Sequence, residues 1–179
     1  MALLAEEIVE EWLNRQGYFT IRGIKIGVHE IDLLAVHLNG DQVSCRHIEV
    51  QASIRPISYI SDVPKEIQKA TGRKPKSTKR RSTSELTVGI KEWIDKKFNL
   101  KSKMKLRQTL YRGEWSFELV VHEVRHPEEL ALFEAAGIKI HRLRDVVRDL
   151  ATQKNLISST SGASLVDLVL LDINAIMTE

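Results

Sequence analysis

The chain has 179 residues, 42% hydrophobic and 28% charged, with a formal net charge of +3; this is the balance of a globular chain with one well-formed core, and it excludes a disordered polyelectrolyte. The single cysteine, Cys45, excludes intramolecular disulfides and cysteine-rich zinc centres. No apolar run is long enough to cross a bilayer, and the opening MALLAEEIVEEWL lacks the basic start and cleavage site of a secretory signal, which points to the cytoplasm and to no membrane partner.

Leu3 to Gln16 reads as an amphipathic helix, with Leu4, Ile8, Val9, Trp12 and Leu13 on one stripe and glutamates opposite; Gly17 caps it. Three strand-like runs follow, Tyr18 to Ile26, Val28 to His37 and Val43 to Gln51, with the turn Asn39-Gly40-Asp41 joining the last two as a hairpin. In the stretch HIEVQAS, residues 47 to 53, Ile48, Val50 and Ala52 alternate to one face while His47, Glu49 and Gln51 take the other. Ser61 or Asp62 is expected to cap a helix that has Pro64 in its first turn and ends near Thr71.

The segment GRKPKSTKRRSTS, Gly72 to Ser84, then carries Arg73, Lys74, Lys76, Lys79, Arg80 and Arg81 and no acidic residue. Lys101, Lys103, Lys105 and Arg107 form a second basic cluster. Such concentration on a near-neutral chain suits a polyanion, and phosphate backbones are the commonest one; a solvated loop that contacts nothing is the other reading. Between the two clusters a helix is expected from Ser84, with Leu86, Val88, Ile90, Trp93, Ile94 and Phe98 as its apolar face.

Trp115 to Val124 alternates as a strand, Pro127 to Gly137 reads as a helix, Ile138 to Leu143 as a short strand, and Asp145 to Leu150 begins another helix. HEVRH, His122 to His126, has the letters of a zinc-peptidase motif, but it continues a strand and Pro127 disfavours helical geometry at His126. Ser158 to Gly162 is a small linker, and Ala163 to Met177 is an apolar helix whose Asp167 and Asp172 argue for packing on the body or on a second subunit. The element order implies an α/β three-layer sandwich with a mixed central sheet flanked by helices. Residues 1–157 would form the domain, with a basic helical insertion at about 57–110, and residues 158–179 the linker and tail.

Asp32 and Glu49 lie on neighbouring strands, where cross-strand side chains on one face stand about 5 Å apart. Two acids so placed resist joint ionisation, and a divalent cation bound between them removes that conflict. Salt bridges to Arg22, Lys25 or another basic group are the competing explanation.

Taken together, EEIVEEWLNRQGYFTIRGIKIGVHEIDLLAVH and HIEVQAS resemble the PD-(D/E)xK nuclease superfamily, nearest to its Holliday-junction-resolvase and RecB-like branches, over roughly Leu3 to Ser53. The resemblance implies a restriction-endonuclease-like fold and a magnesium-dependent (alternatively manganese-dependent) endonuclease acting on DNA, with RNA also compatible, as a homodimer. It implies Glu6 as the first-helix acid, Asp32 as the motif aspartate, Glu49 as the acid of (D/E)xK and the Val50 carbonyl as the third metal ligand. Gln51 stands where the family usually has lysine. Lys25, Lys65 or Lys69 would then supply the missing charge, and Gln68 matches a glutamine found in some branches. A catalytically inactive module of the same fold that binds nucleic acid is the alternative.

Overall fold

A computed structural model describes residues 2–53 and 55–152. The linker and apolar tail expected after residue 157 lie outside them. Helix α1 (Ala2–Arg15) leads into strands β1 (Phe19–Ile26), β2 (His29–Asn39) and β3 (Gln42–Gln51). Helices α2 (Lys65–Thr71), α3 (Thr83–Lys97) and α4 (Lys101–Leu110) come next. Strand β4 (Trp115–Val121), helix α5 (Glu128–Ala135), strand β5 (Lys139–Arg142) and helix α6 (Leu143–Thr152) complete the order.

The five strands form one sheet in the order β1-β2-β3-β4-β5. The first three are antiparallel and the β3–β4 and β4–β5 pairs are parallel, so the sheet is mixed. Asn39 pairs with Gln42, which leaves Gly40 and Asp41 as a two-residue turn, and Gly40 takes the positive φ of 58° such a turn needs.

Alternation along β3 sorts its side chains between two layers. Ile48 and Val50 join Leu33, Ala35 and Val120 against the apolar stripe of α1 (Ile8, Val9, Trp12, Leu13) and against Val146 and Leu150 of α6. On the opposite face Leu119 and Val121 of β4 meet Ile90 and Trp93 of α3, Phe98, and Leu130 and Phe133 of α5. Helices cover both faces of a mixed sheet, so the chain is an α/β three-layer arrangement.

Several boundaries differ from the sequence expectation, each for a local reason. Helix α3 starts at Thr83 because Ser82, not Ser84, makes a reciprocal capping box with Glu85. Neither Ser61 nor Asp62 caps α2, whose N-cap is Pro64. Their side chains are engaged elsewhere: the Ser61 hydroxyl donates to Glu129 at 2.5 Å, and Asp62 pairs with Lys76 at 3.0 Å. HEVRH is irregular apart from a bridge between Val124 and Ile57, so His122 and His126 do not share a helix face. His126 instead stacks flat on Tyr59.

The loop before α2 hangs on one buried carboxylate. Glu129 accepts from the backbone of Ile60 (2.7 Å) and of Ser61 (2.9 Å) as well as from the Ser61 hydroxyl. Gly89 lets α3 close on the same loop, since a Cβ there would stand 2.7 Å from the Asp62 carbonyl oxygen. Glu129→Leu would leave two buried N–H groups without acceptors, so chemical denaturation is expected to show a loss of about 2–4 kcal/mol.

Candidate active site

The β2–β3 ladder ends at the pair Leu33↔Ile48. The next positions along that register are Asp32 and Glu49, on the face opposite the α1 layer. Beyond the ladder the Val50 N–H donates not to a β2 carbonyl but to Asp32 Oδ2, at 2.8 Å. The Val50 carbonyl points to the same side of the strand as its N–H, because both polar groups of one strand residue share an edge. Asp32 is 9% exposed and Glu49 is wholly buried, so the two acids stand inside the protein where the β2–β3 ladder stops.

Basic groups reach this pair from two helices. Lys97, in the last turn of α3, contacts Glu49 Oε2 and lies 4.0 Å from Asp32 Oδ1. Lys103, 1% exposed on α4, donates to Glu49 Oε1 at 3.2 Å and to the Lys97 carbonyl at 2.9 Å. His47 shares the Glu49 face and is also wholly buried; its Nε2 lies 3.2 Å from Glu49 Oε1 and its Nδ1 2.8 Å from an Arg107 nitrogen.

The electrostatics follow from this crowding. Burial first, and the Glu49 charge second, raise the Asp32 carboxyl to about 6. Burial and then the charges of Asp32 and Glu30 raise Glu6 on α1 to about 7, which places it within reach of the same field. Burial works against the Lys97 charge, but Glu49 and Asp32 outweigh it and hold the ammonium above its ordinary value. Burial and the Arg107 charge push the His47 imidazole down to about 2, so it is neutral.

The sequence-named residues divide clearly. Asp32, Glu49 and the Val50 backbone converge, and Glu6 stands near them. Gln51 lines a cleft of about 660 Å³ together with His29, Lys65, Gln68, Trp93 and Lys97. Arg22 is spent on Glu10 (2.9 Å) and Glu7 (3.3 Å) of α1, and Lys25 is exposed on the outer strand, so neither neutralises the acids. Among the described residues the ammonium groups on Asp32 and Glu49 are those of Lys97 and Lys103; Lys65 and Lys69 make no such contact.

The basic segment is also less free than its sequence suggests. Arg81 is 6% exposed, donates to the Ser61 carbonyl at 3.0 Å and lies over the Tyr59 ring. Arg73 pairs with Glu85 at 2.6 Å, and Lys76 with Asp62 and the Ile60 carbonyl. Lys74, Lys79 and Arg80 are exposed, and among the described residues their side chains make no hydrogen bond or ion pair. In the second cluster Lys103 and Arg107 turn inward, leaving Lys101 and Lys105 outside.

Among the described residues no three His, Cys, Asp or Glu side chains group as a metal centre. Asp32 Oδ1 and Glu49 Oε2 both face Lys97, and the Val50 carbonyl lies on the same strand edge as the Val50 N–H that Asp32 accepts. Two carboxylates plus a carbonyl suit a hard divalent ion that keeps water on its other positions. Lys97, whose side chain is 21% exposed, is the group that would have to yield. The donor set therefore fits magnesium or manganese.

No family model matches the chain, and no curated protein does. A solved structure described as a protein of unknown function, AF1548, is similar to it at 10% identity and a TM-score of 0.46. That similarity covers 84% of this chain and 67% of the other.

Asp32 provides a direct check. A carboxyl with a raised folded-state value favours the unfolded chain once ionised, so it removes stability as pH rises from about 4 through about 6. Asp32→Asn keeps an acceptor for the Val50 N–H without the charge. Without added metal the variant is expected to be more stable than the wild type at neutral pH, by on the order of 2 kcal/mol. The two denaturation curves are expected to converge below about pH 4.

Proposed function

We propose that this chain is a metal-dependent nuclease of the PD-(D/E)xK type, with the restriction-endonuclease-like fold, hydrolysing phosphodiester bonds in DNA. The observation that carries the reading is the ammonium of Lys97 lying against both Asp32 and Glu49. Gln51 carries no charge at the position where lysine is usual, and Lys97 brings one to the same cleft from a different element. The function of the missing side chain is thus met by α3 rather than by β3.

Asp32 Oδ1, Glu49 Oε2 and the Val50 carbonyl would hold the ion. A bound divalent cation supplies Lewis acidity and lowers the pKa of a coordinated water. The remaining tasks belong to the chain. Lys97 offers positive charge to a phosphate entering the cleft, and the Gln51 amide orients a water by hydrogen bonding without adding charge. Lys74, Lys79 and Arg80 give flanking phosphates a sequence-independent hold.

One observation favours a second reading. Lys97 and Lys103 both pair with Glu49, as they would in a nucleic-acid-binding module whose chemistry has been lost. Magnesium or manganese titration against plasmid, linear and branched DNA separates the two. Cleavage that disappears in Asp32→Ala supports the nuclease; salt-sensitive binding with no cleavage of any substrate supports the module.

The role given to Lys97 has its own test. Lys97→Met is expected to lower cleavage about 10²–10³-fold, the range for losing one charge-stabilising group. Adding Gln51→Lys to that variant is expected to restore part of the rate. Full activity in Lys97→Met would remove Lys97 from the mechanism. Neutralising Lys74, Lys79 and Arg80 together is expected to weaken DNA binding and to reduce the slope of log affinity against log salt by up to about 3. Unchanged affinity would make them bystanders.

A further inference from the structure

Behind Glu49 runs a buried line of polar groups that the chemistry above does not use. Arg107 Nη1 stands 2.8 Å from His47 Nδ1, and His47 Nε2 stands 3.2 Å from Glu49 Oε1. A guanidinium has hydrogens to donate and no acceptor, so Nδ1 must be the bare, accepting nitrogen. Nε2 then carries the ring hydrogen and donates it to Oε1. The opposite tautomer would set an N–H against an N–H at Arg107 and a lone pair against a carboxylate oxygen at Glu49.

The ring cannot easily escape this arrangement. Phe98 and Phe117 meet it edge-on at centroid distances of 4.7 and 6.2 Å, and Arg107 is itself tied to the Phe98 carbonyl at 2.8 Å. Lys103 adds a second donor to the same Oε1. One oxygen of Glu49 is therefore held from behind by two donors, while Oε2 faces Lys97 and the cleft side.

We propose that His47 is a positioning residue: locked by Arg107 as the Nε2–H tautomer, it engages Oε1 of Glu49 and leaves Oε2 as the single oxygen presented to a cation. A carboxylate free at both oxygens can rotate or bind both at once; one held by His47 and Lys103 offers a fixed, single contact. Supporting groups of this kind, once removed, typically cost a site about 10–100-fold in metal affinity. The use of this arrangement rests on the nuclease reading, whereas the tautomer and the direction of Glu49 do not.

Two measurements on the full chain test it. In a long-range proton–nitrogen NMR spectrum of histidine-labelled protein, His47, assigned by its loss in His47→Gln, is expected to show Nδ1 unprotonated and Nε2 protonated. A protonated Nδ1 would overturn the proposal. The second measurement is calorimetric titration with Mn²⁺ alone. His47→Gln keeps one acceptor and one donor and is expected to bind within a few-fold of the wild type, while His47→Leu is expected to bind about 10–100-fold more weakly. Wild-type affinity in a folded His47→Leu would overturn the proposal. Should that variant not fold, the tautomer spectrum decides. Should the wild type bind no Mn²⁺, the nuclease reading fails and the spectrum still decides between the two tautomers.

Discussion

A carboxylate with no exposure to water is the constraint around which this structure is arranged. Burying an unpaired charge is costly enough that a fold must bring partners to it or neutralise it. Glu49 sits in the central strand of the sheet, wholly buried, and its partners come from three places: Lys97 at the end of α3, Lys103 on α4, and His47 two residues back on its own strand. Helix α4 shows the effect most plainly. Its charged Lys103 and Arg107, one turn apart, point inward, while Met104 and Leu110 are 41% and 44% exposed. The helix is attached to the sheet by charge more than by its apolar residues.

The treatment of a second acid sharpens the contrast. Glu118 on β4 is as buried as Glu49's surroundings, and burial alone would raise its value. Hydrogen bonds from His141, Arg46 and Ser116 overcome that and hold it down at about 2. Asp32 has one backbone donor at 2.8 Å and a lysine at 4.0 Å, and it rests at about 6. Glu118 is fully provided for, as a structural acid is. Asp32 is left short of partners, and shortage of this kind is a mark of groups that bind or react.

Much of the framework was readable from the sequence. The stripe of α1, the hairpin at Gly40 and the alternation in HIEVQAS are local patterns, and local patterns survive into the fold. The pairing of Asp32 with Glu49 was also readable, because a hairpin's register follows from its turn. Lys97 and Lys103 were not readable, since nothing local says that a helix will turn its lysines toward a strand some fifty residues earlier. On α4 the inward side is likewise set by the distant acid: Lys103 and Arg107, four residues apart, are buried while Met104 is exposed. Composition offered Arg73, Lys76 and Arg81 to a polyanion or to solvent; their contacts with an acid, a carbonyl or a ring within the chain were not legible there.

The point where the β2–β3 ladder stops also bears on how the chain folds. The hairpin is a local structure that can form early, but it cannot bury Glu49 before α3 and α4 arrive with Lys97 and Lys103. A one-residue slip in the hairpin would turn Glu49 toward the α1 layer, away from Lys97 and Lys103. Docking of the two helices therefore favours the register that sets both acids on the lysine side. Completion of the core and assembly of the site are coupled, because α3 supplies Ile90 and Trp93 to the one and Lys97 to the other.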